Sequence, residues 1–216
     1  MSITLSTGTI YAVAKTYGAS VNMTAVSNAI EAVATLAAGH GVVVGDYLEL
    51  ASGWGRLDKM VVRVKTVATN DVTLEGMNTL NTTKFPATTG TGTIRRITAW
   101  TNLTQVKNIS SGGGDQQYAD ITAIDDVVER KIPTIRSAVT MDLDVFDDPL
   151  LPWYADVSAA SDSSIPYGLR ISPPNGSKML ANAYWSLMKV PQIAKNEAVT
   201  TKLSLSYASD PIRYAT

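Results

Sequence analysis

The sequence predicts a mainly β protein: an antiparallel β-sandwich or partial barrel with one flanking α-helix and an inserted small all-β module. Short runs alternate between apolar and polar residues, and turns rich in Gly, Asn and Asp separate these runs at short intervals. One stretch carries apolar residues at helical spacing. Hydrophobic residues make up 45% of the 216-residue chain and charged residues only 17%, which favours strands and turns over long charged helices.

The stretch 137–154 predicts a strand that runs directly into a helix. Asp147 or Asp148 is expected to cap the first helical turn, and Pro149 suits the first helical position, where its missing N–H costs nothing. The helix would fold back over the sheet through one apolar face, made of Leu150, Trp153, Tyr154 and Val157. In the strand, apolar Val139, Met141, Leu143 and Val145 alternate with polar Thr140, Asp142 and Asp144.

Closely spaced strands before residue 98 predict a separate small domain. The first strand, 8–14, is too little to form a domain alone, so we expect residues 1–20 and 98–216 to make one β-sandwich domain that 21–97 interrupts. A small barrel or sandwich fits such spacing better than a βαβ unit. The module's predicted strands are 25–28, 32–37, 46–51, 59–68 and 71–75.

The second half of the chain predicts further strands and one long arm. Residues 95–108 read as a strand, and the glycine-rich 110–115 that follows predicts a long loop or a flexible hairpin. Residues 120–135 are polar and acidic, which predicts an extended arm or an exposed hairpin. The remaining strands are predicted at 167–171 and 178–187, around the Pro174-Asn175-Gly176 turn, and at 199–207.

The residue types exclude most catalytic chemistry, so we expect no enzyme, no cofactor and no metal. The chain has no cysteine and one histidine, His40, which lies between two glycines and is expected to brace a turn. Neither glycine-rich stretch completes a phosphate-binding loop. The aspartate pairs lack the spaced oxygens of a calcium loop.

Charge and hydropathy exclude other classes of protein. The net charge of −1 provides no basic face for nucleic acid, and no apolar run is long enough for a membrane anchor. With no secretory signal pattern at its start, the protein is expected to fold in a cytoplasm. Residues 98–150 carry nine acidic and four basic residues, whereas 151–216 carry four and six. Such halves suit contacts between copies, although a solvated surface would show the same counts.

Several short motifs, weak singly but specific in their order, occur along the chain: Gly8 to Ala14, Ala99-Trp100-Thr101, Gln116-Gln117-Tyr118, Glu129 to Thr134, Ser137-Ala138, Asp147-Asp148-Pro149, Pro174 to Lys178 and Lys195-Asn196-Glu197. Together they resemble the major tail tube protein of long-tailed, non-contractile bacteriophages and prophages. Through Val26-Ser27-Asn28, His40-Gly41 and Gly45-Asp46, the block 21–97 also resembles the small β module named from ubiquitin-activating enzymes. Without a cysteine, no thioester chemistry carries over.

The resemblance implies a structural protein of the phage tail that is assembled in the bacterial host cytoplasm. Its subunits would form homohexameric rings, and the rings would stack head to tail into the tube through which DNA is ejected. It also implies other tail proteins as partners, namely an initiator complex, a tape measure and a terminator, and DNA that passes without tight binding. The inserted module is expected to decorate the outer surface of the tube.

Two sets of residues are expected to act in such a tube. Asp142 and Asp144, on the wet face of their strand, are hypothetical lumen carboxylates, because an acidic or neutral lining does not hold DNA. Equally, this face could point to solvent or to a neighbouring subunit. The arm is expected to reach a neighbouring ring, and its candidate residues are Gly112, Gly113, Gly114, Asp115, Asp120, Asp125, Asp126, Glu129, Arg130 and Lys131.

Two other functions fit the same sequence. One is a monomeric β-sandwich that binds or adheres to a target through the inserted module. The other is a different ring-forming tail protein, such as a tail terminator. Rings or tubes seen by electron microscopy would separate the tail tube reading from the monomeric one.

Overall fold

The computed structural model describes residues 7–215 and contains fifteen strands and one helix within them. The elements are β1 (Ile10–Tyr17), β2 (Val21–Val26), β3 (Val33–Leu36), β4 (Tyr47–Ser52), β5 (Val61–Ala68), β6 (Asp71–Leu74), β7 (Gly92–Leu103), β8 (Val106–Gly112), β9 (Gln116–Asp120), β10 (Lys131–Arg136), β11 (Thr140–Phe146), α1 (Pro152–Ser163), β12 (Tyr167–Ser172), β13 (Lys178–Leu187), β14 (Thr200–Tyr207) and β15 (Ile212–Tyr214). The mainly antiparallel β fold with one helix is confirmed.

The early strands close into a small six-stranded barrel. Its strand order is β2-β3-β6-β5-β4-β7, and β2 pairs again with β7, so the sheet returns to its start. The barrel interior is a hydrophobic cluster that contains Leu48, Leu50, Trp54 and Ile94. Since every strand has two partners, this barrel leaves no open edge of its own.

The later strands form a second, open barrel. Its order is β7-β1-β12-β13-β14-β11-β8, with α1 against the inner face of the sheet. The odd-numbered residues of β11 and β14, including Leu143 and Leu203, point into this interior beside Trp153 and Val157 of the helix. The alternation predicted for β11 is therefore confirmed, and β14 alternates in the same way.

Strand β7 belongs to both barrels. Its first half, Gly92 to Ile97, pairs with β4, and its second half, Ile97 to Leu103, pairs with β1. The boundary predicted between residues 97 and 98 thus lies inside one continuous strand. The division into domains 1–20 with 98–216 and 21–97 stays a prediction.

The start of the helix differs from the prediction. The helix begins at Pro152, its N-cap is Leu151, and no side chain caps it, so Asp147, Asp148 and Pro149 are not the helix cap. Asp148 instead accepts a hydrogen bond from the Leu150 N–H at 3.1 Å, which makes a separate turn before the helix. Pro152, and not Pro149, occupies the first helical position. Leu150, predicted to be buried, is 93% exposed.

A second difference concerns the run 95–108. It is two strands, β7 and β8, separated at Gln105, which has a φ of +62°. Residues 137–139 also lie outside β11, because Ser137 exchanges backbone hydrogen bonds with the base of the arm: its N–H donates to the Asp115 carbonyl at 2.9 Å, and its carbonyl accepts from the Gly114 N–H at 3.2 Å.

The two barrels meet along a mixed apolar and polar seam. Ala14, Val61, Ile97, Leu180 and Tyr214 form its apolar part, so the middle of β1 and the first half of β13 are buried on both faces. The closed barrel therefore covers the outer face of the open one along these strands.

The polar part of the seam is centred on Glu49, which is only 7% exposed. Its carboxylate accepts from the Arg95 guanidinium, with a 3.0 Å bond from Nε, and from the Asn182 amide at 2.8 Å. Lys178 donates to the Tyr47 hydroxyl at 2.9 Å, and the Arg63 N–H donates to the Tyr214 hydroxyl at 2.9 Å. Burying a carboxylate is tolerated here because both oxygens are paired.

Trp153→Ala is expected to destabilise the fold by about 3–5 kcal/mol, because it empties a fully buried site between helix and sheet. Leu150→Ala, three residues earlier and exposed, is the matched control and should change stability by less than about 0.5 kcal/mol. Urea unfolding of the monomer measures both. Equal losses of stability in the two variants would mean that Leu150 is as buried as Trp153, as the helix start predicted from the sequence requires.

Glu49→Ala is expected to cost about 3 kcal/mol, the low end for breaking a buried ion pair, because Arg95 keeps part of its hydration. Glu31→Ala removes a surface pair with Lys65 and should cost less than about 1 kcal/mol. The same unfolding assay compares them. A Glu49 variant as stable as the Glu31 variant would contradict a structural role for the seam carboxylate.

Candidate functional site

The outer face of the sheet beyond β13 is polar and solvent-accessible. The register aligns Ser110 with Asp142 and Ser204, and in the next row Asn108 with Asp144 and Lys202. All of these side chains are exposed or half-exposed. The open polar face, as we call it, consists of Asn108, Ser110, Thr140, Asp142, Asp144, Lys202, Ser204 and Ser206.

The charges on the open polar face are partly paired. Lys202 Nζ lies 2.9 Å from Asp142 Oδ2. The hydrogen bond from Lys202 lowers the pKa of Asp142, with a further contribution from Ser204, and the pKa of Lys202 is raised by Asp142 and then by Asp144. Two carboxylates and one ammonium leave one net negative charge. The sequence predicted Asp142 and Asp144 on a wet face, and both are there.

The predicted arm is a hairpin that stands apart from both barrels. Strands β9 and β10 pair only with each other, in a separate two-stranded sheet. All six residues of β10 are exposed. Isolated two-stranded hairpins are marginally stable in water, so the pairing of β9 with β10 gives the arm little stability of its own.

The arm charges named from the sequence pair largely with one another. Asp120 accepts from the Thr122 N–H at 2.8 Å and from its hydroxyl at 2.6 Å, and these bonds lower the pKa of Asp120. Asp126 and Arg130 lie 3.3 Å apart, as an exposed ion pair. A further pair joins Glu129 and Lys131 at 2.7 Å. These pairs shape the tip of the hairpin.

The apolar residues of the arm are the feature that sequence reasoning missed. Ile124, Val127 and Ile135 are 108%, 99% and 75% exposed. An apolar set of this kind, rimmed by charges, marks an interaction surface. The available signal was the run of Ile and Val within a segment read as merely polar. The complete exposed set is Tyr118, Ile121, Ile124, Val127, Val128, Ile132 and Ile135.

Glycines at the base of the arm are required by geometry. Gly113 has a φ of +79°, and a Cβ there would lie 1.9 Å from the Ala138 carbonyl oxygen. Gly114 follows with a φ of +81°. Gly112 ends β8 in ordinary strand geometry. Thus two of the three predicted hinge glycines carry a left-handed backbone.

A groove opens at the same end of the open barrel as the arm. Its volume is about 880 Å³, and Ile109, Met141, Met179 and Tyr207 contribute to its apolar floor. Lys178 and Arg213 lie on its wall. Residues from seven strands, β1, β8, β11, β12, β13, β14 and β15, contribute to it, which is why no local pattern predicted it.

His40 has the bracing role that the sequence predicted. Its Nδ1 accepts from the Val42 N–H at 3.0 Å, and its Nε2 lies 2.9 Å from the Thr69 carbonyl oxygen. No cluster of His, Cys, Asp or Glu suited to a metal ion occurs among residues 7–215. In the same part of the chain, no helix is long and apolar enough to cross a membrane.

Comparison with known proteins identifies a family. The family model of the phage tail tube protein, TTP, matches residues 52–216. No curated protein matches the chain. Two solved structures resemble it: the tail of an empty GTA particle with C6 symmetry (7% identity, 54% of this chain, 87% of that chain, TM-score 0.43) and the 6-fold symmetrised baseplate of the anti-feeding prophage (11%, 55%, 85%, 0.39).

The match of the family model carries the assignment, since it spans most of the sequence and includes the arm, the open polar face and every strand of the second barrel except β1. The two structural likenesses are too weak to add to it. The members of this family are structural proteins of the virion tail and not enzymes. The chain belongs to the phage tail tube protein family.

Proposed function

We propose that this protein assembles into hexameric rings and that the rings stack head to tail into the tail tube, the conduit for DNA ejection. The observation that carries the proposal is the hairpin arm, which presents Ile124, Val127 and Ile135 to solvent. Exposing these apolar side chains gives a monomer no stability, whereas contact with a neighbouring subunit would bury them. Closed rings and head-to-tail stacking each require a heterologous interface, so two different surfaces must be available.

The arm is the proposed contact between rings. Its hairpin follows the left-handed turn at Gly113 and Gly114 and, within residues 7–215, pairs with no strand of either barrel. The end strand β8 is a second candidate for subunit contact, because among the described residues it pairs on one side only, with β11. Pairing that edge between neighbours within a ring would satisfy its unpaired backbone groups.

The open polar face is the proposed lumen wall. It carries small hydroxyl and amide side chains and a net negative charge, and Lys202, the cation placed on it, is neutralised by Asp142. Because each cation paired with a phosphate adds affinity, such a lining lets DNA pass without holding it. The closed barrel covers β1 and β13 instead, which is compatible with decoration of the outer surface.

The other proposed partners follow from this role. An initiator complex, a tape measure and a terminator would contact the first ring, the lumen and the last ring. Negative-stain electron microscopy of the concentrated protein, alone and with an initiator complex, tests the assembly. Stacked six-fold rings are expected. A stable monomer under both conditions would favour the binding-module alternative.

Removing the arm is expected to block stacking while leaving the monomer folded. Replacing residues 116–135 with a short Gly-Ser linker deletes a hairpin that pairs with no other strand, so the thermal unfolding midpoint should stay within a few degrees. Tubes should be absent by electron microscopy. Tubes of normal length from this variant would refute the inter-ring role of the arm.

A point variant separates arm chemistry from arm length. Val127→Asp with Ile135→Asp keeps the hairpin but charges its apolar surface, and we expect the same loss of tubes. Trypsin cleavage after Arg130 and Lys131, both exposed, gives an independent readout. Cleavage should be fast in the monomer and suppressed in tubes.

Neutralising the open polar face, by Asp142→Asn with Asp144→Asn, is expected to preserve both stability and tubes, because the ion pair lies at the surface. Asp142→Lys with Asp144→Lys should also assemble but slow DNA ejection, with relief at higher salt. Glu197→Lys, an exposed site at one end of the barrel, is the charge control. A helical reconstruction with these residues on the outer wall would refute the lumen assignment.

A further inference from the structure

The turn 147–151 and the groove lie at opposite ends of the open barrel. Strand β11 starts at the groove with Met141 and ends at Phe146, immediately before the turn. Strand β14, antiparallel to it, starts beside the turn and ends at the groove with Tyr207. The two features therefore cannot meet within one molecule, but a head-to-tail stack of copies brings such ends together.

The turn has the form of a small knob with an apolar tip and an acidic base. Leu150 is 93% exposed, and Pro149 beside it is also exposed. The Asp147 N–H donates to the Val199 carbonyl at 3.0 Å, and Asp148 closes the turn by accepting from the Leu150 N–H. Backbone contacts thus fix the turn, and a large aliphatic side chain stands in water at its tip.

The groove has the complementary character. Its floor is apolar, with Ile109, Met141 and Met179 among its residues, and a volume of about 880 Å³ lies within the range of sites that enclose small ligands. Its charged side chains are basic. Lys178 donates a hydrogen bond to Tyr47. The side chain of Arg213, in contrast, is exposed and makes no hydrogen bond or ion pair to the described residues.

We propose that the knob of one copy docks into the groove of the next copy along the tube, with Leu150 and Pro149 on the apolar floor and Asp147 facing Arg213. This inference rests on the proposed ring stacking and adds a specific contact beside the arm. The contact is heterologous and repeats with every ring, because each copy carries one knob and one groove. Its charge pairing would set the polarity of stacking, since two like ends repel or fail to fill the groove.

Disulfide trapping tests the contact directly, because the native chain has no cysteine. Leu150→Cys combined with Ser111→Cys places one thiol on the knob and one on the groove wall, both exposed. Under mild oxidation of assembling protein, we expect a ladder of covalent oligomers. Leu150→Cys with Ile30→Cys, on the exposed surface of the closed barrel, is the matched control and should give no ladder.

Charge exchange provides a second test that needs no cross-link. Asp147→Arg and Arg213→Asp should each raise the concentration needed for assembly about tenfold, and the double variant should return it to within about threefold of the native value. Glu197→Arg and Arg56→Asp are exposed controls with the same charge changes. The monomers of the Asp147 and Arg213 variants should unfold as the native protein does, since both of these positions lie at the surface.

The outcomes separate the two proposals. Tubes from the native chain, with no ladder and no rescue by charge exchange, would overturn the knob and groove and leave the tail tube function standing. A native chain that never forms rings or tubes, even with an initiator complex, would overturn both. A ladder only in the Ser111 pair, together with rescue by the double exchange, supports the docking.

Discussion

The buried carboxylate of Glu49 is the contact on which the arrangement of the two barrels depends. It joins the closed barrel, through Arg95, to the open one, through Asn182. Apolar packing alone fixes surfaces loosely, whereas a buried charge tolerates only the geometry that pairs both of its oxygens. With the outer face of β1 and of the first half of β13 covered in this way, the outer face of β8, β11 and β14 remains open. The surface that we assign to the lumen is thus defined by what the seam leaves uncovered.

Periodicity predicted the open barrel well and its junctions poorly. The alternation through Met141, Leu143 and Val145 survives in the structure because one face packs under the helix. The predicted helix start was wrong because Asp-Asp-Pro satisfies the capping rules, whereas the helix begins at Pro152 after the uncapped Leu151. Closure of the first barrel through β2 and β7 could likewise not be predicted from the sequence, since it joins strands about seventy residues apart.

The candidate surfaces divide in the same way. Charged arm residues and the two aspartates could be named from the sequence, because their position in a polar run or a strand period is local. The exposure of the Ile and Val residues of the arm could be recognised only from the structure, since an apolar residue in a hairpin is expected to be buried until its neighbours are known. The groove could likewise be recognised only from the structure, because Ile109, Met179 and Arg213 come together only after folding. The inserted domain remains a prediction, and the family match begins at Ser52, the last residue of β4.

Strand β7 has a mechanical consequence. Its twelve residues run from the closed barrel into the open one without a break, and it is hydrogen-bonded to neighbours in both. A flexible linker would let an outer barrel swing and dissipate force. A shared strand instead passes a load along its backbone and across its ladders, where the hydrogen bonds resist it together in shear. A force applied to the closed barrel is therefore transmitted directly to the sheet that we place around the DNA.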